Sequence, residues 1–266
     1  MRSFYVPVKF KFGLSMLFAI AWTAFSLWAA GLWIVDLTLV FGEILAWIIV
    51  GGIALIPGFM SAFLVASLLL DARPPRRKNI TKYPDITILI AAYNEGENIL
   101  STLESIDKQR YPGAIRVIVA NDGSTDDTAG KVRSVFSQYS WLELLDIEHN
   151  AGKANALNCA LDMVTTDTTI TIDGDSYLYK DALKHLVERY VSDPEGTVAV
   201  AGAVLVRNSR KNLVTKAQEW DYFHGIAAIK RLQSLYQGTL VAQGAFSIYN
   251  TDVLRKVGGW AETVLS

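Results

Sequence analysis

The stretch Thr168–Asp175, TTITIDGD, runs from an apolar segment straight into two carboxylates that flank a glycine. Side chains at i and i+2 of an extended chain point the same way. Asp173 and Asp175 can therefore face one ligand, and Gly174 between them admits it without a Cβ in the way. Two like charges so close want a counter-cation. Their oxygens suit a hard one, Mg2+ or Mn2+, of the kind that also holds substrate phosphates. D-G-D is also good turn chemistry, so the tripeptide alone is either a metal-ligating or a solvated turn. Its place at the end of a buried strand, with other polar clusters beside it, favours the metal.

Outward from this point the pattern alternates. Asp85–Ala92, Ile115–Ala120, Leu142–Ile147, Thr168–Ile172 and Val198–Val206 read as buried strands. Between them Glu95–Gln109, a segment from an N-cap at Ser124 to about Ser137, Lys153–Val164 and Asp181–Val191 read as helices, and Gln218–Tyr236 follows as another. In the fourth helix Leu183, Leu186, Val187, Tyr190 and Val191 form one apolar stripe. Such repeats predict an α/β domain with a mainly parallel sheet and helices on both faces. Ligands of these sheets sit beyond the carboxyl ends of the strands. Tyr93-Asn94-Glu95, Asn121-Asp122-Gly123-Ser124 and Asp173-Gly174-Asp175 all lie at such ends and should converge on one crevice.

Each cluster has two readings. Tyr93, Asn94 and Glu95 flank a nucleobase or make a plain βα turn. Asp122 hydrogen-bonds a base or ribose, while Ser124 caps the helix that follows. Lys153, in the loop Asn150–Asn155 entering a helix, is a phosphate or base contact or a solvated surface charge. The loop is not a P-loop, because the second glycine and the spacing are missing.

The N-terminal region differs in kind. Phe12–Val35 and Ile44–Leu70 carry no charge, and each exceeds the roughly 20 residues needed to cross a bilayer. Their length and succession argue against a cleaved signal peptide, and apolarity on all faces argues against a soluble hairpin. Two transmembrane helices, about 12–35 and 44–70, are expected. Arg2, Lys9 and Lys11 precede them, Arg73, Arg76, Arg77 and Lys78 follow, and the connection holds Asp36 and Glu43. The positive-inside rule places both flanks in the cytoplasm. A membrane anchor over 1–78 and a cytoplasmic domain over 79–266 follow.

Several classes are excluded or weakened. The net charge of −1 argues against a nucleic-acid partner. His149, His185 and His224 are isolated, which disfavours zinc. The single cysteine, Cys159, rules out an intrachain disulfide. There is no G-x-S-x-G elbow, and no G-x-G-x-x-G follows a strand.

The combination ITILIAAYN (Ile86–Asn94), VANDGSTD (Val119–Asp126), NAGKANA (Asn150–Ala156), TIDGD (Thr171–Asp175) and VGGW (Val257–Trp260) resembles the inverting family-two glycosyltransferases. The resemblance covers about Asp85 to the last residue and implies the GT-A fold, Rossmann-like. Two preceding spans look like the processive membrane synthases of poly-β-1,6-N-acetylglucosamine, hyaluronan, chitin and cellulose, the first of these above all. On this resemblance Tyr93 and Glu95 border the uridine, Asp122 contacts the uracil, and Lys153 lies near the nucleotide. Asp175 is the direct metal ligand, and Asp173 touches ribose or metal. Gln243 and Gly244 face the acceptor, with a looser correspondence.

The resemblance further implies a UDP-sugar donor, with N-acetylglucosamine first and glucose second, and a polysaccharide or lipid-linked acceptor. It also implies membrane lipid, accessory export subunits, a Mg2+ or Mn2+ cofactor and a multi-pass site in a bacterial-type plasma membrane. In the family a Gly-Trp element precedes a Thr/Ser-Glu-Asp motif whose Asp is the general base. Here Trp260 is followed by Ala261–Ser266, with Ser266 at the first position of that motif. The expectation is a chain lacking its general base, which binds donor and metal without turnover. Alternatives are a transferase loading one sugar onto a lipid carrier and a catalytically silent, membrane-tethered nucleotide-binding protein.

Overall fold

The structure, a computed structural model, describes residues 7–70, 80, 82–193, 196–206, 211–223, 225, 230–236 and 244–261. Along the chain the first elements are α1 (Val8–Ala29), α2 (Gly31–Phe41), α3 (Glu43–Val50), a π-helical turn (Gly51–Leu55) and α4 (Ile56–Leu69). There follow β1 (Ile86–Ala92), α5 (Ile99–Asp107), β2 (Ile115–Asp122), α6 (Thr128–Ser134), β3 (Leu142–Ile147), α7 (Lys153–Asp162) and β4 (Thr168–Asp173). The last are α8 (Ala182–Ser192), β5 (Ala199–Ala201), α9 (Leu213–Tyr222), α10 (Lys230–Leu235), β6 (Phe246–Asn250) and α11 (Thr251–Lys256).

The chain divides into two compact units, Met1–Pro74 with Leu205–Leu240, and Pro75–Val204 with Val241–Ser266. The segment 205–240, inside the expected domain over 79–266, groups with the N-terminal helices. The physical reason lies in its side chains. Helix α9 buries none of its residues. Beyond α10, Tyr236 packs its ring on Phe12 and Phe63 at 5.7 and 5.8 Å, and its hydroxyl meets Ser67 Oγ at 2.6 Å.

In the first unit Val8–Ala29 and Glu43–Leu69 are long and apolar enough to cross a membrane. Their bounds differ from the expected 12–35 and 44–70, because absence of charge reports apolarity and not helix ends. Helix α1 starts behind Pro7, and the connection holding Asp36 is itself mostly helical, as α2. Glu43 opens α3 after Gly42, which has a φ of 81°. Pro57 has no N–H to continue the α-helical ladder, and the preceding turn widens: the Ile56 N–H donates to Gly51 O, five residues back. Gly58 faces α1, where an added Cβ would make an ordinary 3.5 Å contact with the Trp22 indole nitrogen.

The second unit is built on a six-stranded sheet of order β3-β2-β1-β4-β6-β5. β3, β2, β1 and β4 are parallel, whereas β6 runs antiparallel to β4 and to β5. Alternation along each strand feeds two cores. Ile86, Ile88 and Ile90 of β1 join Val117, Val119, Ile170, Ile172 and Ile248 against Ile99, Leu103 and Ile106 of α5 and Leu183, Leu186 and Val187 of α8. On the other face Leu89, Ile118 and Tyr249 pack on Ala156, Leu157, Ala160 and Leu161 of α7 and Leu254 of α11. Burying each of the larger aliphatic side chains stabilises by about 1.5–3 kcal/mol.

The α/β expectation is met, with strand β5 shorter than the expected Val198–Val206. The helix expected over Gln218–Tyr236 coincides in part with α9, which starts earlier, and with α10, and residues 224 and 226–229 lie outside the described set. α9 begins at Asn212, whose side chain accepts from the Thr215 N–H in a capping box.

Candidate functional site

Strand register brings the polar clusters to one edge. Ala92 pairs with Asn121, and Ala91 pairs with Asp173. Tyr93, Asp122 and Asp173 therefore leave neighbouring strands within two residues of the same level. β6 enters the sheet opposite Ile172, and the Asp173 N–H donates to Ala245 O at 3.4 Å. The chain thus departs after β5 and returns at Gly244 on this same edge.

The loops after β1 and β2 are stitched together. Asn94 adopts the left-handed region, φ 56°, one of the few residue types that tolerates it. Its Oδ1 accepts the Thr125 N–H at 2.8 Å, and its own N–H donates to Ser124 Oγ at 3.0 Å. Ser124 is therefore not the cap of the following helix, which starts at Thr128 behind Asp127. Asp126 accepts the Gly96 N–H at 2.9 Å, the Thr128 N–H at 3.0 Å and the Thr128 hydroxyl.

The Thr128 hydroxyl first, then the two backbone N–H groups, hold the Asp126 carboxyl below the usual range. A depressed carboxyl pKa stabilises the fold above the ordinary value near about 3.9, and that contribution is lost as pH falls through the folded value. Asp126→Asn should therefore melt below wild type at pH 6, with the gap closing on acidification. A gap that stays constant to pH 3 would contradict this.

Asp122 is 2% exposed and clamps the next loop. Its two oxygens accept the N–H groups of Ala151 at 3.0 Å and Gly152 at 2.9 Å. Gly123, φ 64°, has no room for a side chain: an added Cβ would stand 2.5 Å from Asn150 N. The loop so fixed delivers Lys153 as the first residue of α7. The Lys153 ammonium donates to Asp173 Oδ1 in an ion pair. Gly244 lies close by, where an added Cβ would be 3.2 Å from Lys153 Nζ.

The D-G-D turn is pinned from α5. The Thr102 hydroxyl donates to Gly174 O at 2.7 Å, a buried bond. Glu95 lies over Gly174, where an added Cβ would meet Glu95 Cγ at 2.9 Å. Asp175 is exposed and has no hydrogen-bond or ion-pair partner among the described residues. Glu95, Gly174, Asp173, Lys153 and Gly244 are thus brought together, with Asp122 behind the loop that carries Lys153. Tyr93 is exposed beside them. Gln243 lies outside the described residues.

Sequence reasoning missed Asn158. Its amide donates to Trp260 O at 2.9 Å and accepts the Trp260 N–H at 2.8 Å. Gly259, φ 75°, is required there, because a Cβ would fall 2.2 Å from Asn158 Oδ1. The VGGW segment is thereby fastened to α7.

The profile described as Glycosyl transferase family 2 matches residues 87–258. The chain belongs to glycosyl transferase family 2. Among curated family-2 relatives, the poly-β-1,6-N-acetyl-D-glucosamine synthase of Staphylococcus aureus (strain COL) is 31% identical over 213 residues, 77% of this chain and 51% of the relative. The synthase of the same description from Staphylococcus epidermidis is 30% identical over the same length and shares. The chain spans about half the length of these relatives. A solved mannosyltransferase from Pyrobaculum calidifontis, in complex with GDP-Man and Mn2+, superposes with a TM-score of 0.60 at 23% identity, covering 93% of this chain and 59% of that one. The fold is GT-A.

A divalent ion fits what this family-2 site offers. No group of three or more His, Cys, Asp or Glu gathers among the described residues. Two carboxylates completed by substrate phosphates are, however, the usual holding of Mg2+. The cation already seated on Asp173 shows that this turn draws positive charge.

Proposed function

We propose that this chain is the membrane anchor and donor-binding half of an inverting glycosyltransferase that takes N-acetylglucosamine from a UDP-sugar to extend a β-linked polysaccharide. The observation that carries the reading is the meeting of Lys153 with Asp173 at the strand edge shared by Asp122, Glu95 and Gly244. In this reading the two apolar helices span the membrane, and the second unit faces the cytoplasm, by the charge bias of their flanks.

Asp175 and Asp173 would hold the divalent ion, which when bound supplies charge neutralisation for the departing diphosphate. Lys153 binds diphosphate oxygens at the start of α7, where the helix dipole adds positive potential. Tyr93 and Glu95 border the nucleoside. Asp122 holds the Asn150–Lys153 loop in place beside the nucleoside. Gly244, with Gln243 before it, faces the acceptor. The relatives' printed activity supports N-acetylglucosamine as the sugar.

The test is a binding panel on the full chain in detergent with Mn2+, using UDP-N-acetylglucosamine, UDP-glucose and GDP-mannose. UDP-N-acetylglucosamine should bind most tightly. Equal or tighter binding of GDP-mannose would overturn the donor assignment, and absence of binding to all three would overturn the site.

A further inference from the structure

Lys153 occupies an electrostatically odd position. It is the first residue of α7, at the end of the helix dipole that favours anions and disfavours cations. The anion at that end is Asp122, whose oxygens are engaged by the Ala151 and Gly152 N–H groups. The ammonium instead reaches across to Asp173. Of the two carboxylates on the turn, Asp173 is thus neutralised by a side chain of the protein, while Asp175 has no partner among the described residues. Both members of the pair remain partly open, with side-chain exposures of 44% and 30%. Such a contact is weak enough to exchange.

We infer that Lys153 is a resident counter-cation of the D-G-D turn. In the nucleotide-free protein its ammonium neutralises Asp173, and it yields that place when a divalent ion arrives with a nucleoside diphosphate, taking phosphate oxygens as its new partners. The inference rests on the donor-site reading above. It makes divalent ion and nucleotide mutually dependent: the ion must displace a cation, and the diphosphate gives that cation somewhere to go. Each should therefore tighten the binding of the other by the same factor. Gly244 leaves space for the movement, because the Lys153 side chain runs along its bare Cα.

The measurement is Mn2+ affinity of the full chain without nucleotide, by electron paramagnetic resonance or calorimetry. Lys153→Met should tighten Mn2+ binding by about tenfold, the size expected for removing one positive charge from beside a divalent ion in a well-solvated setting. Lys153→Arg, which keeps the charge, should match wild type. The tightening of Mn2+ by added UDP should shrink in Lys153→Met. Unchanged or weaker Mn2+ binding in Lys153→Met, with Asp175→Ala still abolishing it, would overturn the counter-cation role alone. Mn2+ binding indifferent to Asp175→Ala would overturn the donor-site reading beneath it.

Discussion

Asp175→Ala is expected to abolish Mn2+-dependent binding of UDP-N-acetylglucosamine, weakening it more than about a hundredfold. Losing a group that merely supports a metal ligand typically costs 10–100-fold in affinity, and a direct ligand should exceed that. The site also has few substitutes among the described residues. Asp173 is the other carboxylate on the turn and is already paired with Lys153, and no cluster of three potential ligands exists among the described residues. The side chain is exposed and unpartnered among the described residues, so its removal should leave the melting temperature of the ligand-free chain unchanged. Calorimetric titration with and without Mn2+ reads the effect. Retained metal-dependent binding at wild-type affinity would sink the assignment.

Asp122→Asn should lower the melting temperature of the ligand-free chain by roughly 5–15 °C. An asparagine presents one oxygen where the carboxylate presents two. Its amide nitrogen would then face the N–H of Ala151 or Gly152, donor against donor, in a site that is 2% exposed. Leaving a buried N–H without its charged acceptor, with two donors opposed, costs about 2–4 kcal/mol, and in a chain of this size each kcal/mol is worth about 2–4 °C. A residue serving only the nucleotide base would weaken binding and leave the ligand-free melt untouched. Thermal unfolding without nucleotide separates the two roles.

Much of the second unit was legible because its signals are local. The apolar runs of β1, β2 and β4 end at polar clusters, and the stripe of Leu183, Leu186 and Val187 marks the buried face of α8. Phe246–Asn250 escaped because five residues, FSIYN, alternate too briefly to separate a strand from a loop, and its pairing with β4 is antiparallel at long range. Ser124 looked like a helix cap because its true partner, the Asn94 backbone, lies thirty residues away. The same distance hid Asp122's engagement by backbone donors, which the residue type alone could not distinguish from a base contact. Asn158 gave no signal, since a half-buried asparagine on a helix is chemically unremarked until Trp260 is placed beside it.

The Asn158 link makes α7 a strut with one tenant at its start and another at its middle. Lys153 opens the helix, and Asn158, one and a half turns on, grips the main chain at Trp260 through both its donor and its acceptor. A tilt of that rod, provoked by occupancy at its first residue, would be delivered without slack to whatever stretch of polypeptide sets out from Trp260.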